Sequence, residues 1–150
     1  MIHLNDLENC FNRRLLRPVE PSKEKSDLSI KQAKEWLEEA KRNLENEAYR
    51  SAQISTYLAF FHSARAILFR DGIREKSHYC IGIYLEKYVN SDNLEEEYVM
   101  LFDRMRSARN TDQYSFQIAP SPEEVKSGIK SADDFINRMD QLLNETNPLE

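Results

Sequence analysis

The sequence predicts an all-α protein: an antiparallel up-and-down bundle of four to five helices with a short additional helix at the N-terminus. Its 150 residues include 15 leucines and 10 alanines but only four valines and three threonines. This composition favours helices, because β-branched side chains lose χ1 freedom in a helix. Several segments also place apolar residues at helical spacing. We therefore expect no β-sheet, and a core large enough to fold without disulfides or metal.

The N-terminal third is predicted to contain two helices. The first covers residues 4–16, where apolar side chains recur every three to four positions, and it must end before Pro18. The stretch from Pro18 to Pro21 is interpreted as a linker. The second helix is predicted to begin with Ser26 or Asp27 as its N-cap. Its buried face consists of Ile30, Ala33, Leu37, Ala40 and Leu44.

The third helix, predicted over residues 47–70, is expected to be the central one. One face is a seam of small residues, which allows a neighbouring backbone to approach closely, and a second arc is rich in aromatic residues. Gly72 follows where a left-handed C-cap would end the helix. The third helix thus has two apolar faces, and the other helices of a monomeric bundle of this size would not readily bury both. We therefore expect a homodimer, in which a second copy covers part of this apolar surface.

The C-terminal half is predicted to contain three further helices. A short one covers residues 77–89, and the next begins with Asn93 as N-cap and ends near Arg109. Residues 110–120 are expected to form the longest loop of the core. Ser121 then caps a last helix with Pro122 at its first position. The expected organisation is an N-terminal helix and linker (1–26), the bundle (27–144) and a tail (145–150).

Composition and spacing exclude several classes of function. A net charge of −5 argues against a surface coated with positive charge, so any nucleic-acid contact must be local. The glycines are too dispersed for a nucleotide-binding loop, and the histidines and cysteines lack metal-site spacing, so neither metal nor cofactor is expected. The longest uncharged run is 14 residues, too short to span a membrane, and no signal peptide is recognisable. We expect a cytoplasmic protein.

Residues 55–78, STYLAFFHSARAILFRDGIREKSH, resemble the central helix and following turn of the HEPN family of small helical domains. Residues 109–114, RNTDQY, are similar to that family's motif of Arg, a polar residue, a spacer and His. The resemblance covers about residues 28–143. It implies an antiparallel helical bundle that forms a homodimer, with the Arg motif near the dimer seam. Many members are metal-independent endoribonuclease toxins, which implies a nucleotidyltransferase antitoxin as partner.

The resemblance also implies roles for individual residues. In active members the Arg holds the scissile phosphate and the His assists proton transfer from the ribose 2′-hydroxyl. Arg109 and Asn110 match the first two positions, but Tyr114 stands in place of the His, and a tyrosine is a poor base at neutral pH. A second alignment pairs Arg106 with Asp112 and Tyr114. The candidate catalytic residues are Arg109 and Tyr114, and the candidate phosphate-binding residues are Arg106, Arg109, Asn110, Asp112 and His78.

Structural interpretations stand beside these functional ones. Arg104, Arg106 and Arg109 could merely complement the negative C-terminal end of the fifth helix. His62, on the small-residue seam, is interpreted as a hydrogen-bonded core histidine, whereas His78 either caps the fourth helix or belongs to the site. The aromatic residues of the predicted loop, Tyr114 and Phe116, could cover the end of the bundle.

Three functions are compatible with the sequence. The preferred one is a HEPN protein that binds RNA or nucleotide phosphate and works with a nucleotidyltransferase, with weak or no catalysis. The second is an active metal-independent endoribonuclease that uses Tyr114, or a histidine from elsewhere, in place of the missing His. The third is a non-catalytic helical dimer that binds another protein, which the acidic charge and the altered motif favour.

Overall fold

The computed structural model describes residues 4–114 and 119–148, and the side chains of residues 6–109 and 119–148. This part of the chain contains six helices and two short strands, and it confirms the all-α class. In chain order they are α1 (Leu4–Asn12), β1 (Leu16–Pro18), α2 (Lys23–Glu45), α3 (Tyr49–Asp71), β2 (Ile73–Glu75), α4 (His78–Asn90), α5 (Glu96–Tyr114) and α6 (Pro122–Glu145).

Helix α3 is the centre of the bundle, as its composition predicts. It packs against α2, α4, α5 and α6, and residues of both arcs, including Tyr57, Ala59, Phe60 and Ala66, are fully buried. Neighbouring helices of the same chain therefore cover the surface that the sequence analysis assigned to a second subunit. That physical reason for a homodimer was wrong, because four helices of the same chain pack around α3.

The expectation of no β-sheet was wrong at one place, where β1 and β2 form an antiparallel pair with Leu16 opposite Glu75. The pair exists because α1 ends at Asn12 and not at Leu16. Arg14 has a positive φ of 59°, and the amides of Arg14 and Leu15 donate to the carbonyls of Phe11 and Cys10. This arrangement is a Schellman motif, which glycine usually forms.

Gly72 ends α3 in the predicted left-handed conformation, with φ of 77°. A side chain there would also collide with the preceding segment, because a Cβ atom on Gly72 would lie 2.7 Å from the carbonyl oxygen of Val19. The amide of Val19 donates to the carbonyl of Gly72 at 2.8 Å. The close approach of the two backbones ties the segment before α2 to the end of α3.

Two of the predicted helix starts are at different residues in the structure. The N-cap of α2 is Ser22, whose Oγ accepts a hydrogen bond from the amide of Lys25 at 3.0 Å, so the prediction of Ser26 or Asp27 was wrong. Asn93 does not cap α5, because α5 begins only at Glu96, and the side-chain amide of Asn93 donates to Ser91 Oγ. The predicted Ser121 cap of α6 is confirmed, with the amide of Glu124 donating to Ser121 Oγ at 3.1 Å.

Helix α5 continues to Tyr114, so the loop predicted from residue 110 was wrong over its first five residues. Residues 110–114 are polar, but they include no glycine or proline, and polar side chains do not stop a helix. The first proline after α5 is Pro120. The remainder of the predicted loop, residues 115–118, lies outside the described residues.

A disulfide that the sequence analysis did not predict joins Cys10 to Cys80, with their Cα atoms 6.0 Å apart. It attaches α1 to α4, the helix against which α1 packs. Among the described helices, none combines the length and the apolar character that crossing a lipid bilayer requires.

Candidate phosphate-binding site

His78 is the first residue of α4 and lies against the central helix. Ser77, and not His78, caps α4, because Ser77 Oγ accepts from the amide of Cys80 at 3.3 Å. The His78 ring stacks on Phe61 with ring centres 4.4 Å apart and planes inclined by 20°. Its Nδ1 atom lies 2.8 Å from the Tyr57 hydroxyl. The imidazole is thus held by a ring face and a hydrogen bond, and not by a capping contact.

Tyr57 connects His78 to the arginine of the sequence motif. Its fully buried ring lies 5.8 Å from the His78 ring, centre to centre. The guanidinium carbon of Arg109 lies 5.3 Å from the centre of the same ring. Burial raises the pKa of Tyr57 well above its usual value of 10, so its hydroxyl keeps its proton. We call these three residues the His78–Tyr57–Arg109 cluster.

Arg109 forms no ion pair among the described residues. Its Nε atom is buried and has no hydrogen-bond partner in that part of the chain. Arg106, one turn earlier, is different, because its Nη2 lies 2.8 Å from Asp103 Oδ1 and its guanidinium lies over the exposed ring of Tyr79. An unpaired buried donor costs stability unless something else accepts its hydrogen bond. Arg109 is therefore the cation in this region best suited to receive an anion.

The arginines of α5 do not lie at its C-terminal end, where they could interact with the helix dipole. Because α5 ends at Tyr114, Arg104, Arg106 and Arg109 all precede the last helical residue by more than one turn. The attraction between a cation and the helix dipole is confined to about the last turn. These arginines therefore do not serve to complement the C-terminal end of the helix.

Both histidines of this region are neutral at pH 7. Burial lowers the pKa of His78, and the nearby charges of Arg109, Arg106 and Arg65 lower it further. Burial, Arg65 and His78 lower the pKa of His62 to about 4. His62 is only half-buried and forms no hydrogen bond among the described residues, so its interpretation as a hydrogen-bonded core histidine was wrong.

Arg65 and Phe61 form the wall of the site on the α3 side. Arg65 Nε lies 2.7 Å from Glu75 Oε1, in an ion pair that links α3 to β2. The Arg65 guanidinium also lies over the rings of Phe61 and Phe69, at 5.4 and 4.7 Å. Because its charge is already compensated by Glu75, Arg65 supports Phe61, and Arg109 is the arginine of this site without an ion pair to any described residue.

The sequence analysis named two members of the cluster, Arg109 and His78, and missed Tyr57 and its neighbour Phe61. A signal for both was present, because Tyr57, Phe61, Arg65 and Phe69 recur every four residues and therefore share one face of α3. Tyr57 and Phe61 were interpreted as part of the second apolar arc of α3, which their burial also supports. Only the position of α4 shows that a histidine packs on it.

Asn110, Asp112 and Tyr114 belong to α5 by their backbone, and their side chains lie outside the described residues. The sequence analysis brought Arg109 and Tyr114 together through a loop. On a helix, five residues separate two positions by about 7.5 Å along the axis and about 140° around it. That the side chains of Arg109, Asn110, Asp112 and Tyr114 bind one phosphate together stays a prediction. These residues would do so from a helix and not from a loop.

A cavity of about 550 Å³ lies on another face of α5, between α3 and α6, and is lined by Met105, Ala108, Val125 and Gly128 among others. It contains no histidine and none of the cluster residues. Among the described residues, no group of three or more His, Cys, Asp or Glu side chains is placed to hold a metal ion. The chemistry available at the cluster is therefore that of an arginine, a neutral imidazole and a phenol.

Comparisons with known proteins place these observations in a family. The family model described as HEPN domain matches residues 26–142. The chain is 32% identical over 127 residues to the "Putative toxin MJ0605" of Methanocaldococcus jannaschii, which covers 82% of this chain and 92% of that protein. It is 27% identical over 116 residues to a "UPF0332 protein" of Thermotoga maritima, covering 77% of this chain and 88% of that one.

Proposed function

Because the chain belongs to the HEPN domain family, we propose that it binds phosphate groups of RNA through the His78–Tyr57–Arg109 cluster and acts as the toxin-like member of a two-protein pair. The observation that carries the proposal is the Arg109 guanidinium, which forms no ion pair with a described carboxylate and whose Nε has no hydrogen-bond partner among the described residues. A guanidinium offers a planar set of donors that fits phosphate oxygens. The neutral His78 beside it can accept or donate a hydrogen bond to the neighbouring ribose.

The charge of the region supports local and not general binding of RNA. The whole chain carries a net charge of −5, so a large positive surface is not available. Around Tyr57, however, Asp103 is the carboxylate among the described side chains that lies close to Arg106 and Arg109. The local excess of positive charge favours a phosphodiester and predicts a weak dependence of affinity on salt, because few phosphates are contacted.

Arg109→Ala tests the proposal directly. A charge-assisted hydrogen bond contributes about 1.5–3 kcal/mol, so the affinity for a single-stranded RNA should fall about ten- to a hundredfold. The measurement is a fluorescence anisotropy titration of wild type and variant with the same labelled RNA, with ATP titrated in parallel. Arg104→Ala is the matched control, because Arg104 is an exposed arginine on the same helix that lines the cavity away from the cluster.

The titrations separate the possible ligands. If RNA binding weakens in Arg109→Ala and stays unchanged in Arg104→Ala, the cluster is the site. If only ATP binding responds, the ligand is a nucleotide and not RNA. Equal affinities of the three proteins for RNA, or no binding by any of them, would contradict the site and favour a protein partner. Asn110, Asp112 and Tyr114 stay in the proposed site, and alanine variants of each extend the same titration.

The toxin-like role is transferred from a relative's name and from the family. The name toxin belongs to the Methanocaldococcus jannaschii protein. For this chain we propose a nucleotidyltransferase as the antitoxin partner, as the family resemblance implies. A nucleotidyltransferase gene beside the gene for this chain, and co-purification of the two products, would support the pairing.

A homodimer is also part of the proposal, through a surface formed by α4 and α5. Tyr79 and Met100 are large apolar side chains that are 49% and 62% exposed, and they border a cavity of about 230 Å³ with Ile83 and Val99. Because Arg106 lies over the Tyr79 ring, a second copy bound there would bring the two clusters near one seam.

The dimer is expected to respond to a charge at the centre of this surface. Wild type should sediment as a dimer at micromolar concentration, and Met100→Lys should sediment as a monomer with an unchanged circular dichroism spectrum, because an unpaired buried charge is unfavourable at an interface. A monomeric wild type would contradict the dimer. A dimeric Met100→Lys variant would show that the dimer interface does not include this surface.

We propose a cytoplasmic location, since a toxin that acts on cellular RNA must reach it there. The Cys10–Cys80 disulfide is the observation that opposes this placement, because cytoplasmic disulfides are rare outside hyperthermophiles. The redox state of the two thiols in intact cells, determined by rapid alkylation and mass spectrometry, is the relevant measurement. Complete oxidation in a mesophilic host cytoplasm is not expected.

A further inference from the structure

We propose that His78 is the general base of an RNA transesterification at this site, and that Tyr57 positions it. The inference rests on the proposed function, because it requires RNA phosphate to bind at Arg109. It assigns a proton acceptor that the sequence motif lacks, since Tyr114 stands where the family has its histidine. The assigned residue comes from α4, outside the motif altogether.

The first argument is the way His78 is held. Its ring has one face on Phe61, at 4.4 Å between ring centres, and its Nδ1 is 2.8 Å from the Tyr57 hydroxyl. Its Nε2 atom forms no hydrogen bond with any described residue. A histidine whose first nitrogen is fixed by a partner and whose second nitrogen is unoccupied is arranged as a catalytic base is, with one nitrogen for orientation and the other for the proton.

The second argument is the position of the anion-binding group. His78 and Arg109 both contact the ring of Tyr57, at 5.8 and 5.3 Å from its centre. The Arg109 charge also acts on His78, and the scheme places a phosphodiester at the Arg109 guanidinium with its adjoining ribose toward the imidazole. The 2′-oxygen of that ribose is the nucleophile of RNA transesterification, so this placement would bring the nucleophile to the base.

The reaction can be written with the residues present. His78 Nε2 takes the proton of the ribose 2′-hydroxyl while the 2′-oxygen forms a bond to phosphorus. The bond between phosphorus and the 5′-oxygen of the next nucleotide breaks, and that oxygen takes a proton from water. The products are a 2′,3′-cyclic phosphate and a 5′-hydroxyl, and the imidazolium returns its proton to solvent. Arg109 binds the charge that increases on the phosphoryl oxygens.

Tyr57 acts as a positioning residue in this scheme. In the tautomer that serves as a base, His78 Nδ1–H donates to the Tyr57 hydroxyl oxygen and Nε2 carries the lone pair. The hydroxyl is a neutral partner because burial keeps Tyr57 protonated. Loss of the hydroxyl would release the ring to the other tautomer, in which Nε2 carries a proton and cannot act as a base.

The charges around His78 predict the pH dependence. Arg106 and Arg109 on α5 and Arg65 on α3 disfavour the imidazolium. Glu75 of β2 lies on Arg65, and Asp103 of α5 lies on Arg106. Neutral Tyr57 and His62 face the ring from α3.

The pKa of His78 is therefore below its ordinary value of about 6.5, and the ring is neutral at and above neutral pH. We expect kcat/KM to be constant from neutral pH upward and to decrease only as the pH falls below that value.

The test compares cleavage and binding in four proteins: wild type, His78→Asn, Tyr57→Phe and His62→Asn. The substrate is a mixed-sequence single-stranded RNA with EDTA present, and a 2′-O-methyl version of the same RNA serves as the uncleavable control. His62→Asn is the matched histidine control, since His62 also lies against Phe61 but outside the cluster. Thermal unfolding of each variant verifies that it is folded.

The expected result is cleavage by wild type to 2′,3′-cyclic phosphate ends and a decrease of about a hundredfold or more in His78→Asn, the usual contribution of a general base. RNA affinity should change by less than about twofold in the same variant, and His62→Asn should match wild type. Tyr57→Phe keeps the aromatic ring and should lose about tenfold in rate, with the acid limb of its pH profile displaced.

Each other outcome contradicts the assignment. Cleavage by His78→Asn at the wild-type rate would exclude His78 as the base and leave RNA binding in place. A wild type that binds RNA and never cleaves it would overturn the catalytic role and leave the proposed function intact. A wild type that binds no RNA would overturn both. If His78→Asn does not fold, the rate and pH profile of Tyr57→Phe decide the matter.

Discussion

Asp71→Ala is expected to lower the free energy of unfolding by about 3–5 kcal/mol, because it breaks a buried ion pair by removing one partner. The side chain of Asp71 is 1% exposed and accepts from Arg70 Nε at 2.8 Å. It also accepts from the hydroxyls of Tyr84 and Tyr88 at 2.8 and 2.5 Å. Without the carboxylate, the Arg70 charge and both tyrosine hydroxyls lose their common acceptor.

This network joins three elements that determine where His78 lies. Asp71 is the last residue of α3, and the two tyrosines belong to α4. Arg70 also donates to the carbonyl oxygen of Thr146, beyond α6, at 2.7 Å. The fixed position of α4 on α3 is what keeps the His78 ring on Phe61, so the destabilised variant should also lose RNA affinity.

Urea unfolding followed by circular dichroism measures the effect. Tyr84→Phe is the control for the same network, because it removes one donor and keeps the ion pair, and it should cost about 1 kcal/mol. A loss of less than about 1 kcal/mol in Asp71→Ala would show that the carboxylate is not essential to the α3–α4 contact, since breaking a buried pair costs several times more.

Loss of the Cys10–Cys80 disulfide is the second large effect, at about 4 kcal/mol. The bond closes a loop with a sequence separation of 70 residues. In the chain-entropy account, a cross-link over a loop of that length removes enough freedom from the unfolded chain to stabilise the fold by about this amount. The unfolding midpoint of wild type in urea should therefore fall when a reductant is added.

Cys80→Ser provides the control, because its unfolding should be independent of the reductant and match that of reduced wild type. RNA affinity should be retained in this variant, since neither cysteine belongs to the cluster. An unchanged midpoint of wild type with and without reductant, together with two free thiols by mass spectrometry in the purified protein, would contradict the disulfide.

The helices were predictable where local chemistry alone determines them. Gly72 ends α3 because its positive φ and the approach of Val19 both require glycine, and Ser121 with Pro122 marks the start of α6. The strand pair was not predictable, because it depends on Arg14 in a conformation that arginine rarely adopts. The end of α5 was placed too early because polar residues were taken as a loop.

The candidate site was only half predictable for a related reason. The altered motif and its arginine can be recognised along the chain, so Arg109 and His78 could be proposed from the sequence. Tyr57 and Phe61 have the spacing of core residues on α3, and burial confirms that they are core. Their second role arises from α4 packing on that face of α3, a contact between distant segments that no local pattern contains.

The most direct test of the central claim is a nuclear magnetic resonance titration with an uncleavable 2′-O-methyl RNA. The protein is labelled with nitrogen-15 in arginine and histidine side chains. If the His78–Tyr57–Arg109 cluster binds phosphate, the Arg109 Nε–H and His78 imidazole resonances should shift in proportion to saturation. The Arg70 Nε–H resonance, already bonded to Asp71, should not move. Saturation of RNA binding with the Arg109 and His78 resonances unshifted would contradict the account.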